Sequence, residues 1–306
     1  LKYLFEKNHD LYTVCQGATV NYNTVSENQN RFFNEHPFPG LDLTHLISSQ
    51  QFVYYVEKNS LYRAIKKIIK PGSKVLDAGC GTGEFTTYLA VDNSIEVFGI
   101  DYSLKTVEWA NKVKARFWNE DNLSFFSKDI FGLSLSDYGK FDCILAMGLF
   151  PSIPNEQEGM KKFTGVLRNG GIVIFGFFDP IGRAYIRLLR KLIQSVTNDF
   201  NSQEIICKSA LIKHLNNKNE EKWHINQLTE EYLNYHSPRM AVDMIEKCHI
   251  SILDIYPKLK IFGDIFEGHL KTNSQYSIPI HHLLCRINWL LSNTDGYYVV
   301  IGRMSN

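Results

Sequence analysis

The chain has 306 residues, 44% of them hydrophobic, which suits one large domain or two small ones around a sizeable core. Lys and Arg number 33 against 32 Asp and Glu, a formal net charge of +1, so no overall field recruits nucleic acid or an anionic membrane surface. Residues 1–30 are polar and mixed, and no apolar run is long enough to cross a bilayer, so neither a signal peptide nor membrane insertion is expected. Cys15, Cys80, Cys143, Cys207, Cys248 and Cys285 include no C-x-x-C pair and no Cys/His set with zinc spacing. Free thiols in a reducing cytoplasm are expected, and no metal site.

In chain order, residues 1–60 read as irregular. They contain Phe33-Asn34-Glu35-His36-Pro37-Phe38-Pro39-Gly40, where two prolines and a glycine oppose regular structure. Tyr54, Tyr55, Leu61, Ile65 and Ile68 predict a helix over 51–69, stopped by Pro71-Gly72. Strands then alternate with helices: a strand at Val75-Leu76-Asp77, a helix from Phe85 to Ala90, a strand from Glu96 to Ile100, a helix over 103–117, and strands at Leu123–Ser127, Phe141–Met147 and Ile172–Phe177. This rhythm predicts an α/β chain with a mostly parallel sheet and helices on both faces. Residues 181–235 read as mostly helical and polar. The pattern resumes with a helix at 238–248, a strand at 250–256, an amphipathic helix carrying Leu283, Leu284, Ile287, Leu290 and Leu291, and a last strand at Tyr297–Ile301. The predicted organisation is an N-terminal cap over 1–60, a core over 61–180 and 237–306, and a helical lid over 181–236.

Chemistry concentrates in Asp77-Ala78-Gly79-Cys80-Gly81-Thr82-Gly83, between a strand and a helix. Glycines permit a tight turn and close backbone approach to a ligand, and the helix N-terminus offers unpaired N–H groups to a carboxylate. The competing reading is a dinucleotide site, but that fingerprint needs G-x-G-x-x-G; here the third glycine comes one residue early and Glu84 follows it. Asp101 ends the second strand, where a carboxylate can accept both ribose hydroxyls, a device shared with dinucleotide enzymes. Tyr102 is placed to cover an adenine. Asp129 ends the third strand, with Ile130 beside it, and can accept from an exocyclic amine.

Asp77–Gly83, Gly99-Ile100-Asp101, Asp129, Phe141-Asp142 and Leu167-Arg168-Asn169-Gly170-Gly171 together resemble the ordered motifs of class I S-adenosylmethionine-dependent methyltransferases. The resemblance covers roughly 60–180 and 237–306. It implies a Rossmann-like seven-stranded sheet whose last strand is antiparallel. It also implies S-adenosylmethionine as cofactor, with S-adenosylhomocysteine as product. The cofactor contacts would be Asp77, Gly79, Cys80, Gly81, Gly83, Asp101, Tyr102, Asp129, Ile130 and Ala146. Segments 33–39, Gly182-Arg183, Tyr235-His236-Ser237-Pro238 and Gly296–Arg303 resemble a group of bacterial methyltransferases of unknown substrate. The chain departs from many relatives in lacking a histidine after the fourth strand, and it has no N/D-P-P-Y/F motif.

His236 is the candidate base or substrate anchor; the competing reading is a solvent-exposed histidine at a helix entry. His36, Tyr55 and Tyr235 are candidate substrate contacts, and Gly81→Val is expected to fill ligand space. Arg183, Arg187, Arg190 and Lys191 recur at helical spacing, as an anion grip or a solvated face. The expected function is methyl transfer to an O or N nucleophile of a small molecule under a lid. The alternatives are an RNA or protein methyltransferase and a non-catalytic cofactor-binding subunit of a larger assembly.

Overall fold

The computed structural model describes residues 22–91, 94–211, 218–230, 232–256 and 296–305. Seven strands form one sheet: β1 (Lys74–Ala78), β2 (Glu96–Asp101), β3 (Leu123–Ser127), β4 (Phe141–Ala146), β5 (Leu167–Phe178), β6 (Ile250–Tyr256) and β7 (Tyr297–Met304). Their order is β3-β2-β1-β4-β5-β7-β6. β1 pairs in parallel with β2 and β4, β2 with β3, and β4 with β5; β7 runs antiparallel to both β5 and β6. This is the mostly parallel sheet with an antiparallel last strand that the motifs implied. Strand order reverses between β1 and β4, and ligands of open α/β sheets bind beyond the carboxyl ends of the strands at such a point.

The helices are α1 (Tyr22–Glu35), α2 (Ser49–Val56), α3 (Ser60–Ile68), α4 (Glu84–Ala90), α5 (Leu104–Phe117), α6 (Leu135–Tyr138), α7 (Glu156–Val166), α8 (Ala184–Val196), α9 (Phe200–Ile206), α10 (Lys218–Thr229) and α11 (Pro238–Glu246). Successive strand side chains point to opposite faces, and the core divides accordingly. Val75, Val97, Leu145, Ile174 and Val299 meet Phe52, Ile65, Leu89 and Val107 from α2–α5. Leu76, Ile144, Phe175 and Val300 meet Met160, Phe163, Ala241 and Ile245 from α7 and α11. Both faces are therefore buried, which is why the parallel strands read as nearly continuous apolar runs.

Several elements differ from expectation. The helix predicted over 51–69 is two helices, because the Asn59 side chain accepts from Leu61 N and Tyr62 N and starts a new one. β5 begins at Leu167, which pairs with Phe141 ahead of a register shift, so Gly170-Gly171 lie within the strand rather than before it. α7 was not anticipated. Arg183 and Arg190 do not form a solvated face: they are 1% and 6% exposed, because that side of α8 packs on α10. His281, His282 and the helix predicted over 283–291 lie outside the described residues, as do Cys15 and Cys285. Among the described residues no helix is long and apolar enough to cross a membrane.

Candidate active site

β1 leads into the glycine loop, and two of its glycines have demanding positions. Gly83 has φ 81° and caps α4; a Cβ there would lie 2.7 Å from Ala110 Cβ and 2.8 Å from the Phe125 ring. Gly81 has φ 55°, and a Cβ would meet the Phe38 carbonyl oxygen at 2.4 Å. The missing side chain at Gly81 therefore makes room for the proline-braced segment, at a position that also lines the cavity. That segment is fastened to the loop. Thr82 N donates to Phe38 O at 3.0 Å, Gly40 N donates to Thr82 Oγ1 at 2.9 Å, and Leu41 N donates to Glu84 Oε1 at 3.3 Å. Glu84 is buried and lies 2.7 and 2.9 Å from the Thr82 hydroxyl through its two oxygens.

Acids end the neighbouring strands. Asp101 Oδ2 accepts from Gly81 N at 3.1 Å and Oδ1 from Ser103 N at 2.9 Å, so the carboxylate ties the loop to β2 while each oxygen keeps a further lone pair. Asp77 Oδ2 accepts from Thr86 Oγ1 at 2.6 Å. Burial pushes both carboxyls up to about 6, against those hydrogen bonds, and the Asp101 charge adds to the rise at Asp77. Asp129 Oδ1 accepts from Phe131 N at 2.9 Å and starts the short turn Ile130–Gly132.

A cavity of about 180 Å³ opens beside this frame. Gly79, Gly81, Asp101, Tyr102, Asp129 and Ile130 line one side. Asp77, Cys80, Gly83 and Ala146 do not line it. Asp77 is held under the loop by Thr86, the Cys80 thiol is buried, Gly83 packs on α5 and β3, and Ala146 is inside the sheet. The facing side comes from both additions to the core: Gln29 and Phe33 of α1, and Asn226, Gln227 and the following Glu230 from α10, with Ser152 beyond β4. None of these was singled out from sequence. The usable signal was the polar set Asn226, Gln227 and Glu230, spaced to share one turn at a helix end.

The four candidate substrate residues sit elsewhere. His36 packs its ring on Phe200 with centroids 4.1 Å apart, and burial lowers its pKa. Tyr55 packs edge-on to His45. Tyr235 lies under the Arg187 guanidinium. His236 is buried: its Nε2 is 2.8 Å from Glu156 Oε2, its N–H donates to Phe178 O, its carbonyl accepts from Tyr298 Oη, and its ring meets Phe177 edge-on. That arrangement pins residues 234–237 to the core and offers nothing to the cavity, so it replaces both the base and the solvent-exposed reading. His236→Ala is expected to lower stability by about 2–3 kcal/mol, from the lost hydrogen bond and the void. Cofactor affinity should not change; thermal denaturation and calorimetry read the two, and lost affinity with an unchanged melting temperature would return His236 to the site.

A family model described as "Methyltransferase domain" matches residues 69–235, more than half of the chain. The chain belongs to this methyltransferase family. The region matched includes the glycine loop, the three strand-end acids and the facing wall from α10. The chain is 32% identical over 110 residues to 27-O-demethylrifamycin SV methyltransferase of Amycolatopsis mediterranei, covering 36% of this chain and 40% of that one. It is 27% identical over 175 residues to malonyl-[acyl-carrier protein] O-methyltransferase 2 of Ilyobacter polytropus, covering 56% and 63%. The matches thus span only about half the length of these curated relatives. PKMT2 from Rickettsia typhi superposes with a TM-score of 0.55 at 17% identity, over 83% of this chain and 53% of that one, a likeness of fold.

Proposed function

We propose that the chain transfers a methyl group from S-adenosylmethionine to a small-molecule acceptor held between the glycine loop and a cover built from α1 and α10. The observation that carries this is the cavity itself, with Asp101, Asp129 and the glycine loop on one side and both additions on the other. The residues fit the cofactor. Asp101 keeps lone pairs for two ribose hydroxyls, and Tyr102 and Ile130 offer apolar surface to an adenine. When bound, the cofactor supplies an activated methyl group on a positively charged sulfur. The chain supplies alignment and exclusion of water, which account for much of the acceleration of such a displacement.

A roofed cavity and a net charge of +1 favour a small acceptor over RNA or a folded protein. Isothermal calorimetry tests the reading: S-adenosylmethionine and S-adenosylhomocysteine should bind, and NAD should not. Tighter binding of NAD would overturn it. Among the described residues no group of His, Cys, Asp or Glu is placed to hold a metal ion. Methyl transfer is therefore expected to survive EDTA, and a loss restored only by magnesium would contradict that.

A further inference from the structure

The α1 helix lies along the cavity. Ser26, Gln29, Asn30 and Phe33 line it, and at i, i+3, i+4 and i+7 they share one face of the helix. The helix is fastened at two places. At its C-terminal end Asn34 Oδ1 accepts from Ser103 Oγ at 3.0 Å and from Lys105 N at 3.2 Å, and Thr106 Oγ1 lies 3.2 Å from Phe33 O. These contacts join α1 to the start of α5, beside the Asp101 carboxylate. Further along, Gln29 reaches across to the turn after α10: its Nε2 donates to Glu230 Oε1 at 2.9 Å and to Tyr232 O at 3.0 Å. Gln29 and Glu230 are both buried, and a hydrogen bond to a carboxylate shielded from water is one of the stronger kinds.

The α10 side of that contact is braced. Ser152 Oγ, beyond β4, donates to the same Glu230 oxygen at 2.6 Å. Arg190 of α8 donates to Gln227 O at 3.0 Å and to Glu230 O, and Arg183 Nη2 donates to Gln227 Oε1 at 2.6 Å. Lys222 Nζ donates to Gly40 O at 2.6 Å, on the proline-braced segment. α10 is thus tied to the core, to α8 and to the glycine-loop side at once. α1 is tied at Phe33–Asn34 and closed at Gln29. The space under this cover is about 180 Å³. Ligand pockets run from about 300 to 1,000 Å³, so the closed cover leaves too little room for a cofactor and an acceptor together.

We infer that α1 is a hinged strap: it turns about Phe33–Asn34, and the bond from Gln29 to Glu230 is the latch that opens before the cofactor enters or leaves. This rests on the methyltransferase reading. The pivot sits at the end of a helix, where a hinge is usually found. Opening at Gln29 lifts Ser26, Gln29 and Asn30 from the cavity. Asn34 keeps its bonds to Ser103 and Lys105, so the ribose acid beside them stays in place. Reclosing restores the buried bond and excludes water from the methyl group. The latch holds the closed chain alike with and without ligand. It therefore sets how fast ligand exchanges, not how tightly it is held.

The test is the rate of S-adenosylhomocysteine binding to the full chain, followed by stopped-flow fluorescence. In the wild type the observed rate should level off as ligand concentration rises, because opening comes first. Gln29→Met keeps the length of the side chain and removes the donor. It should raise the association and dissociation rate constants together, each about tenfold, the value of a hydrogen bond to a buried charge, and leave Kd nearly unchanged. A side chain that only contacts the ligand would instead change Kd, through dissociation. Glu230→Gln keeps the shape and the bond from Ser152 but leaves a neutral acceptor, so it should raise both rates by less and serves as the milder variant. A wild-type rate that climbs in proportion to ligand without levelling, unchanged rates in both variants, or faster dissociation alone would overturn the latch. Failure of S-adenosylhomocysteine to bind at all would instead remove the reading beneath it.

Discussion

Asp101→Ala should weaken S-adenosylhomocysteine binding by about 10–100-fold, or about 1.5–3 kcal/mol, the value of hydrogen bonds to a charged group. The substitution removes the acceptor for both ribose hydroxyls. It also frees Gly81 N and Ser103 N, whose bonds to this carboxylate tie the glycine loop to β2. The same carboxyl predicts a pH dependence. It titrates at about 6 in the free chain, and a ligand donating to it favours the ionised form. Affinity should therefore be full above pH 6 and fall as the pH is lowered through 6. Folding stability runs the other way. Both carboxyls sit above their ordinary value of 3.8, so the folded chain binds more protons between about 3.8 and 6, and stability falls as pH rises through that window. Calorimetry at several pH values, beside denaturation of the free chain, reads both. A change under twofold on Asp101→Ala would contradict the account.

Gly83→Val should cost about 3–5 kcal/mol of stability. Its Cβ would sit inside contact distance of Ala110 on α5 and Phe125 on β3, and its backbone has φ 81°, where a β-branched residue is strained. The neighbours cannot yield, since α5 packs there against the sheet within the core. Gly165→Ala is the control: it lies in α7 with nothing within 4 Å of a new Cβ, and should be neutral or slightly stabilising. Urea denaturation distinguishes them, and a Gly83→Val chain within 1 kcal/mol of wild type, about a fivefold change in the folding constant, would show the loop packing to be misread.

The glycine-loop side of the cavity was readable because its signals are local. Glycine spacing, short apolar strands and acids at strand ends all lie within a few residues of one another, and β-strand registers bring Asp77, Asp101 and Asp129 to one edge of the sheet. The facing wall was not readable, because its bonds join distant residues: Gln29 meets Glu230 across 201 positions. Glutamine, asparagine and glutamate on a helix look solvated until a partner helix is known to cover them. The error with His236 has the same origin. Imidazole chemistry suggested a base, but Glu156, 80 positions away, holds the ring in the junction between α7 and the core. Arg183 and Arg190 repeat the lesson in reverse, since a basic stripe on α8 is here the internal support of α10.

The most direct test of the central claim is a crystal structure of the chain with S-adenosylhomocysteine. The ribose hydroxyls should lie within hydrogen-bond distance of Asp101, the adenine beside Tyr102 and Ile130, and the sulfur toward the wall formed by Gln29, Asn226 and Glu230. A ligand bound away from Asp101, or with its sulfur turned from that wall toward open solvent, would contradict the account.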